Sequence, residues 1–169
     1  MLSFLLTALS VLIGFLLQTA VFPAVVPLHV FPNLLIILTA ANGFMKEENV
    51  GIVVGFFCGL LYDVFFGGTI GFYALLNTYV GFLNGKFSRV FYPEDIKLPL
   101  ALITISDLTC SLVSYDFLFL IWGKLEFSYY LLHVILPETV VTLIATLLFY
   151  PPILKMNEWL RLRQRKKEY

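Results

Sequence analysis

Four carboxylates, Asp63, Asp107, Asp116 and Glu138, stand inside long apolar runs of this 169-residue chain. A charged side chain at the centre of a bilayer costs on the order of 3 kcal/mol on insertion scales, so such groups are normally paired, neutralised or functional. Here no cation shares their stretches, and neutral polar groups accompany them: Gln18, Asn33, Asn42, Asn77 and Asn84. Three chemistries fit: a polar cavity that accepts a ligand or partner, an internal hydrogen-bond network, or proton coupling. The last lacks a continuous relay. Catalysis has little support. His29 and His133 are isolated, and the sequence holds no H-E-x-x-H, no G-x-S-x-G and no Ser/Lys pair with a reason to converge. Gly67-Gly68-x-x-Gly71 is a turn without the lysine and strand of a phosphate loop. Cys58 and Cys110 read as small buried hydrophobes. No enzyme, metal or cofactor is expected.

The elements that carry these groups are membrane helices. The chain is 60% hydrophobic and 13% charged, whereas a soluble domain has about 25% charged residues. A helix needs about 20 apolar residues to cross the hydrocarbon core. Six such segments are expected: Leu2–Val21, Pro32–Met45, Glu47–Phe66, Thr69–Phe87, Leu98–Trp122 and Tyr130–Met156. The second is short for a full span and needs a thinned or protein-covered depth. The first lacks the basic start and cleavage signal of a secretory leader, so it is read as retained. The runs are too long and too uniformly apolar for the alternating strands of an outer-membrane barrel. The fold class is thus all-α, a polytopic bundle of six transmembrane helices over 1–156, followed by a basic cytoplasmic tail, 157–169.

Charge orients the bundle. With the N-terminus inside, Lys46, Lys86, Arg89, Lys97, Lys155, Arg161, Arg163, Arg165, Lys166 and Lys167 all fall on the cytoplasmic side and only Lys124 outside, a strong positive-inside bias. Both termini are then cytoplasmic. On that topology Gln18, Asn33, Asp63, Asp116 and Glu138, from five helices, lie toward the outer leaflet. They are the candidate partner or ligand groove, with an internal network as the alternative. Asp107 lies nearer mid-depth, on one face with Thr104, Ser111 and Ser114. Gly51, Gly55 and Gly59 recur at spacings of four, and Gly71, Ala74, Thr78, Gly81 and Gly85 form a second small-residue stripe. Such stripes let helix backbones approach closely in lipid, here within a hairpin or against a partner's helix. Trp159 and the basic tail read as an interface anchor on anionic lipid. The tail is too short for a nucleic-acid module.

Pro32-Asn33-Leu34-Leu35, Gly55-x-x-x-Gly59-Leu60-Leu61-Tyr62-Asp63 with Phe66-Gly67-Gly68, Gly71-x-x-Ala74-Leu75, Gly81 and, more weakly, Pro137-Glu138 resemble the bacterial rod shape-determining MreD family. The resemblance implies a non-catalytic scaffold or regulator of cell-wall elongation in the bacterial cytoplasmic (inner) membrane. It implies as partners an MreC-like single-span protein, an MreB-like filament, a RodA-type glycosyltransferase and a penicillin-binding transpeptidase. It also implies a fold similar to the substrate-binding subunit of energy-coupling-factor transporters. A vitamin-type transporter subunit is therefore the alternative function. Ala8 is followed by Leu12, so the Ala-x-x-x-Ala coupling pattern of such subunits is absent there. An enzyme acting on lipid-linked precursors is disfavoured by the missing nucleophile–base pair.

Overall fold

The computed structural model describes residues 2–25, 30–66, 69–88, 96–122 and 127–165. His29, Gly67, Gly68, Arg89, Lys124, Lys166 and Lys167 lie outside them. All regular structure among the described residues is helical. The helices are α1 (Leu2–Leu16), α2 (Phe22–Val25), α3 (Leu34–Lys46), α4 (Glu48–Phe65), α5 (Phe72–Phe87), α6 (Lys97–Trp122), α7 (Phe127–Tyr130) and α8 (Leu136–Arg165). Among the described residues, four stretches are long and apolar enough to cross a membrane: Ser3–Ala24, Glu48–Phe65, Lys97–Phe117 and Phe127–Leu160.

The first rod runs past Pro23, beyond the expected end at Val21, and the last runs through Pro137, Pro151 and Pro152. A π-helical turn, Leu17–Val21, joins α1 to α2, and another, Leu131–Ile135, joins α7 to α8. Each lies just before a proline, Pro23 or Pro137. A proline inside a helix has no N–H to give, and its ring presses on the carbonyl four residues back. Widening the preceding turn relieves that pressure. Phe22 N–H accordingly donates to the Leu17 carbonyl, and Leu136 N–H to the Leu131 carbonyl, five residues back in both cases. The first rod therefore reaches Val25 instead of stopping at Val21. The last begins at Phe127 and continues past Pro151 and Pro152 to Arg165. The boundary expected at 156 falls inside this helix, where Asn157 and Leu160 are buried.

Helix α3 is the axis of the bundle. Every one of its residues except Lys46 is buried, and it packs against α1, α4, α5, α6 and α8. Its 13 residues span only about 20 Å at about 1.5 Å each. Lipid mismatch is not felt by a helix that lipid does not reach. A single residue, Glu47 (φ 84°, ψ 167°), turns α3 into α4.

Helices α4 and α5 touch backbone to backbone. A Cβ at Gly55 would strike the Asn77 carbonyl oxygen, at Gly59 the Tyr73 carbonyl, and at Gly81 and Gly51 each other's carbonyl. At Gly85 it would strike the Glu48 backbone. Helix α3 joins through Gly43, whose Cβ would lie 2.6 Å from the Gly81 oxygen. That glycine belongs to the same close contact but sits outside any sequence stripe.

Cross-helix contacts sort the two ends of the bundle. Lys46 reaches Thr7 (2.6 Å), and Asn157 reaches Met45 Sδ (2.9 Å), at the end that also holds Glu48 and Gly85. Gln18, Asn33, Asp63 and Gly71 make theirs at the opposite end.

Candidate functional site

The first amides of a helix have no partner within it, and in a membrane no water replaces one. Two helix starts meet this demand with the polar residues singled out above. At α3, Asn33 Oδ1 accepts from Ile36 N–H (3.3 Å), and Gln18 Oε1 accepts from Leu35 N–H (3.2 Å). Asn33 N–H in turn donates to Thr142 Oγ1 (3.1 Å). Residues from α3, the first rod and α8 thus complete one helix end. At α5, Asp63 is the cap. Its side chain reaches over from α4, 1% exposed, and accepts from Gly71 and Ala74 N–H on Oδ2 and from Tyr73 N–H on Oδ1, each at 2.9 Å. Gly71 itself has φ 101°, a conformation that favours glycine. A carboxylate receiving three backbone donors at a helix N-terminus needs no separate cation.

The structure brings two of the five outer polar residues to one cavity. Gln18 and Glu138 share a cavity of about 230 Å³, walled by Val30, Phe31, Tyr62, Phe66 and Val134. It lies between the two widened turns, which supply Gln18 and Val134. Asn33 and Asp63 cap helices beside it, and Asp116 is exposed on α6. Depth along each helix, which topology supplies, says nothing of direction around the helix axis. The aromatic wall was not foreseen: Tyr62 packs on Tyr73 (ring centroids 4.3 Å) and on Phe66 (5.3 Å). Its signal was the flanking of Asp63 by aromatics. His133 stacks on Tyr129 at 4.3 Å on an exposed face, away from the cavity walls.

Asp107 is fully buried, and neither carboxyl oxygen has a hydrogen-bond partner among the described residues. Thr142 and Cys110 are its near neighbours. Asn42, Asn77 and Asn84 turn their amide groups back onto the carbonyls of Leu38, Tyr73 and Val80. An unpaired buried carboxyl weakens a fold, and an apolar group of similar volume in its place is neutral or better. Asp107→Leu should thus melt at the same temperature or higher in detergent, a gain of up to about 2 kcal/mol. If the cells that carry this stable variant lose rod shape, the carboxyl serves function and not folding.

A family model described as rod shape-determining protein MreD matches residues 1–159 of the chain. The chain belongs to the MreD family. Neither the curated proteins nor the solved structures hold a significant match. The residues behind the earlier resemblance now have physical roles. Gly55 and Gly59 bring α4 against α5, Asp63 caps the start of α5, and Asn33 caps α3. Membership in the MreD family assigns the chain to rod-shape determination, and with four membrane-length apolar helices it is a multi-pass protein of the inner membrane.

Proposed function

We propose that the chain is a non-catalytic scaffold or regulator of the cell-wall elongation machinery. It crosses the inner membrane six times with both termini in the cytoplasm, and its partners are an MreC-like single-span protein, an MreB-like filament, a RodA-type glycosyltransferase and a penicillin-binding transpeptidase. The burial of α3 supports counting that short helix as a crossing, and the ten-to-one bias of basic residues supports the orientation. Anionic lipid holds the basic end of α8, where Arg163 lies over the Trp159 ring at 4.1 Å.

The observation that carries the docking reading is the cavity between the two π-helical turns, with Gln18 and Glu138 in an otherwise aromatic and aliphatic wall. At about 230 Å³ it is smaller than the roughly 300–1,000 Å³ of sites that enclose a small molecule. It suits one or two side chains of a partner segment better than a vitamin. A photoreactive residue at Phe31 or Tyr62 should capture the MreC-like protein in cells, and one at Leu148, on the exposed face of α8, should not. Equal capture at all three positions, or none at Phe31 and Tyr62, would overturn the docking site. A vitamin retained on purification would instead favour the transporter subunit.

A further inference from the structure

A second cavity lies at the other end of the bundle. A groove of about 650 Å³ runs between α1 and α4. Its deeper walls are aliphatic and aromatic, with Val11, Leu12, Val53 and Phe57 among them, and its mouth holds Ser3, Thr7, Lys46 and Asn49. Among the described residues, Lys46 is the only charged one in those walls. Glu47 and Glu48 follow it in the chain but do not line the groove. Among the described residues its ammonium donates to Thr7 Oγ1, and an ammonium has three donors.

The length of the groove selects its occupant. From Asn49 to Leu61 along α4 is about 18 Å at about 1.5 Å per residue, close to one leaflet of a hydrocarbon core roughly 30 Å thick. One turn deeper, Phe15 packs on Phe65 with ring centroids 4.8 Å apart, and Phe15 shares a buried cluster with Cys58. A transmembrane helix of a partner would need contact across both leaflets. A lipid chain needs only one, with its phosphate at the mouth.

We propose that this groove is a binding site for an anionic phospholipid, with an acyl chain between α1 and α4 and the phosphate on Lys46, Thr7 and Asn49. The site is separate from the basic end of α8. That it draws from the cytoplasmic leaflet rests on the orientation above; binding itself does not.

The test is native mass spectrometry of the full chain released from detergent micelles, with phosphatidylglycerol or phosphatidylcholine of equal chain length added. The protein should retain phosphatidylglycerol in preference to phosphatidylcholine. Lys46→Gln should reduce that preference about fivefold, the factor expected for about 1 kcal/mol per cation, and Lys155→Gln, on α8, should not. Ala8→Trp places a ring in the groove from an exposed position and should reduce retention of both lipids. A phosphatidylglycerol preference untouched by Lys46→Gln, or lipid retention untouched by Ala8→Trp, overturns the site. So does loss of a co-purified partner in Ala8→Trp with lipid retention unchanged, since the groove would then seat protein. None of these readouts depends on which way the chain lies in the membrane.

Discussion

Leucine in place of Gly81 should remove the protein from the membrane fraction. A side chain there has to displace the carbonyl of Gly51, which belongs to the backbone of a neighbouring helix and has no rotamer to change. Overpacking an ordinary core site costs about 1–3 kcal/mol because side chains yield. At Gly81 the helices themselves must part, and the same backbone contact also holds α3 through Gly43. A loss of at least about 3 kcal/mol is expected for leucine, comparable to much of the stability of a small domain. Alanine should already cost about 2 kcal/mol. Gly14 is the informative contrast. A Cβ there meets the end of the Leu38 side chain, which can move, so Gly14→Ala should cost under about 1 kcal/mol. Membrane abundance and thermal unfolding in detergent read both variants. Equal tolerance of alanine at Gly81 and Gly14 would contradict the close-contact account.

Asp63 carries the second large effect. Truncation to alanine leaves the amides of Gly71, Tyr73 and Ala74 without this acceptor, and of the three residues Ala74 is buried while Gly71 is exposed. An unmet buried donor costs about 1–3 kcal/mol. Asp63→Ala should therefore lose about 3–5 kcal/mol even if one of the three amides finds another partner. Asp63→Asn keeps one accepting oxygen but turns an NH₂ toward a donor, so it should lose roughly half as much. Asp116→Ala, at an exposed site, should stay within about 0.5 kcal/mol of the parent. The comparison is a thermal melt of the four purified proteins. A melt in which Asp63→Ala and Asp116→Ala behave alike would remove the capping role.

Those two aspartates mark how far the sequence could be read. Both sit in apolar runs, and both were placed toward the outer leaflet. Only folding distinguishes them, because a cap depends on where the next helix starts and not on the residue's own helix. The glycine stripes on α4 and α5 were legible since a spacing of four is a property of one helix. Gly43 was not legible, having no partner glycine at that spacing on α3. The extension past Pro23 was missed for a local reason. Proline normally closes a helix, and the π-helical turns that admit it here leave no residue signature. Membrane character was plain throughout, being a matter of run length and hydropathy. The cavity between the widened turns was only half visible. Gln18 and Glu138 could be assigned a depth, but Phe31, Tyr62 and Phe66 carried no polar label.

Cysteine accessibility in intact cells tests the central claim, a six-crossing bundle with its basic end in the cytoplasm. The native Cys58 and Cys110 are both buried, so an introduced cysteine reports cleanly. A membrane-impermeant thiol reagent should label Ile70→Cys, in the exposed turn before α5. It should reach Glu47→Cys, Ser88→Cys and a cysteine appended after Tyr169 only when the membrane is opened. Labelling of Ile70→Cys and Glu47→Cys from the same side would mean that α4 does not cross. Labelling of Ser88→Cys and the C-terminus from opposite sides would mean that the last two crossings are wrong.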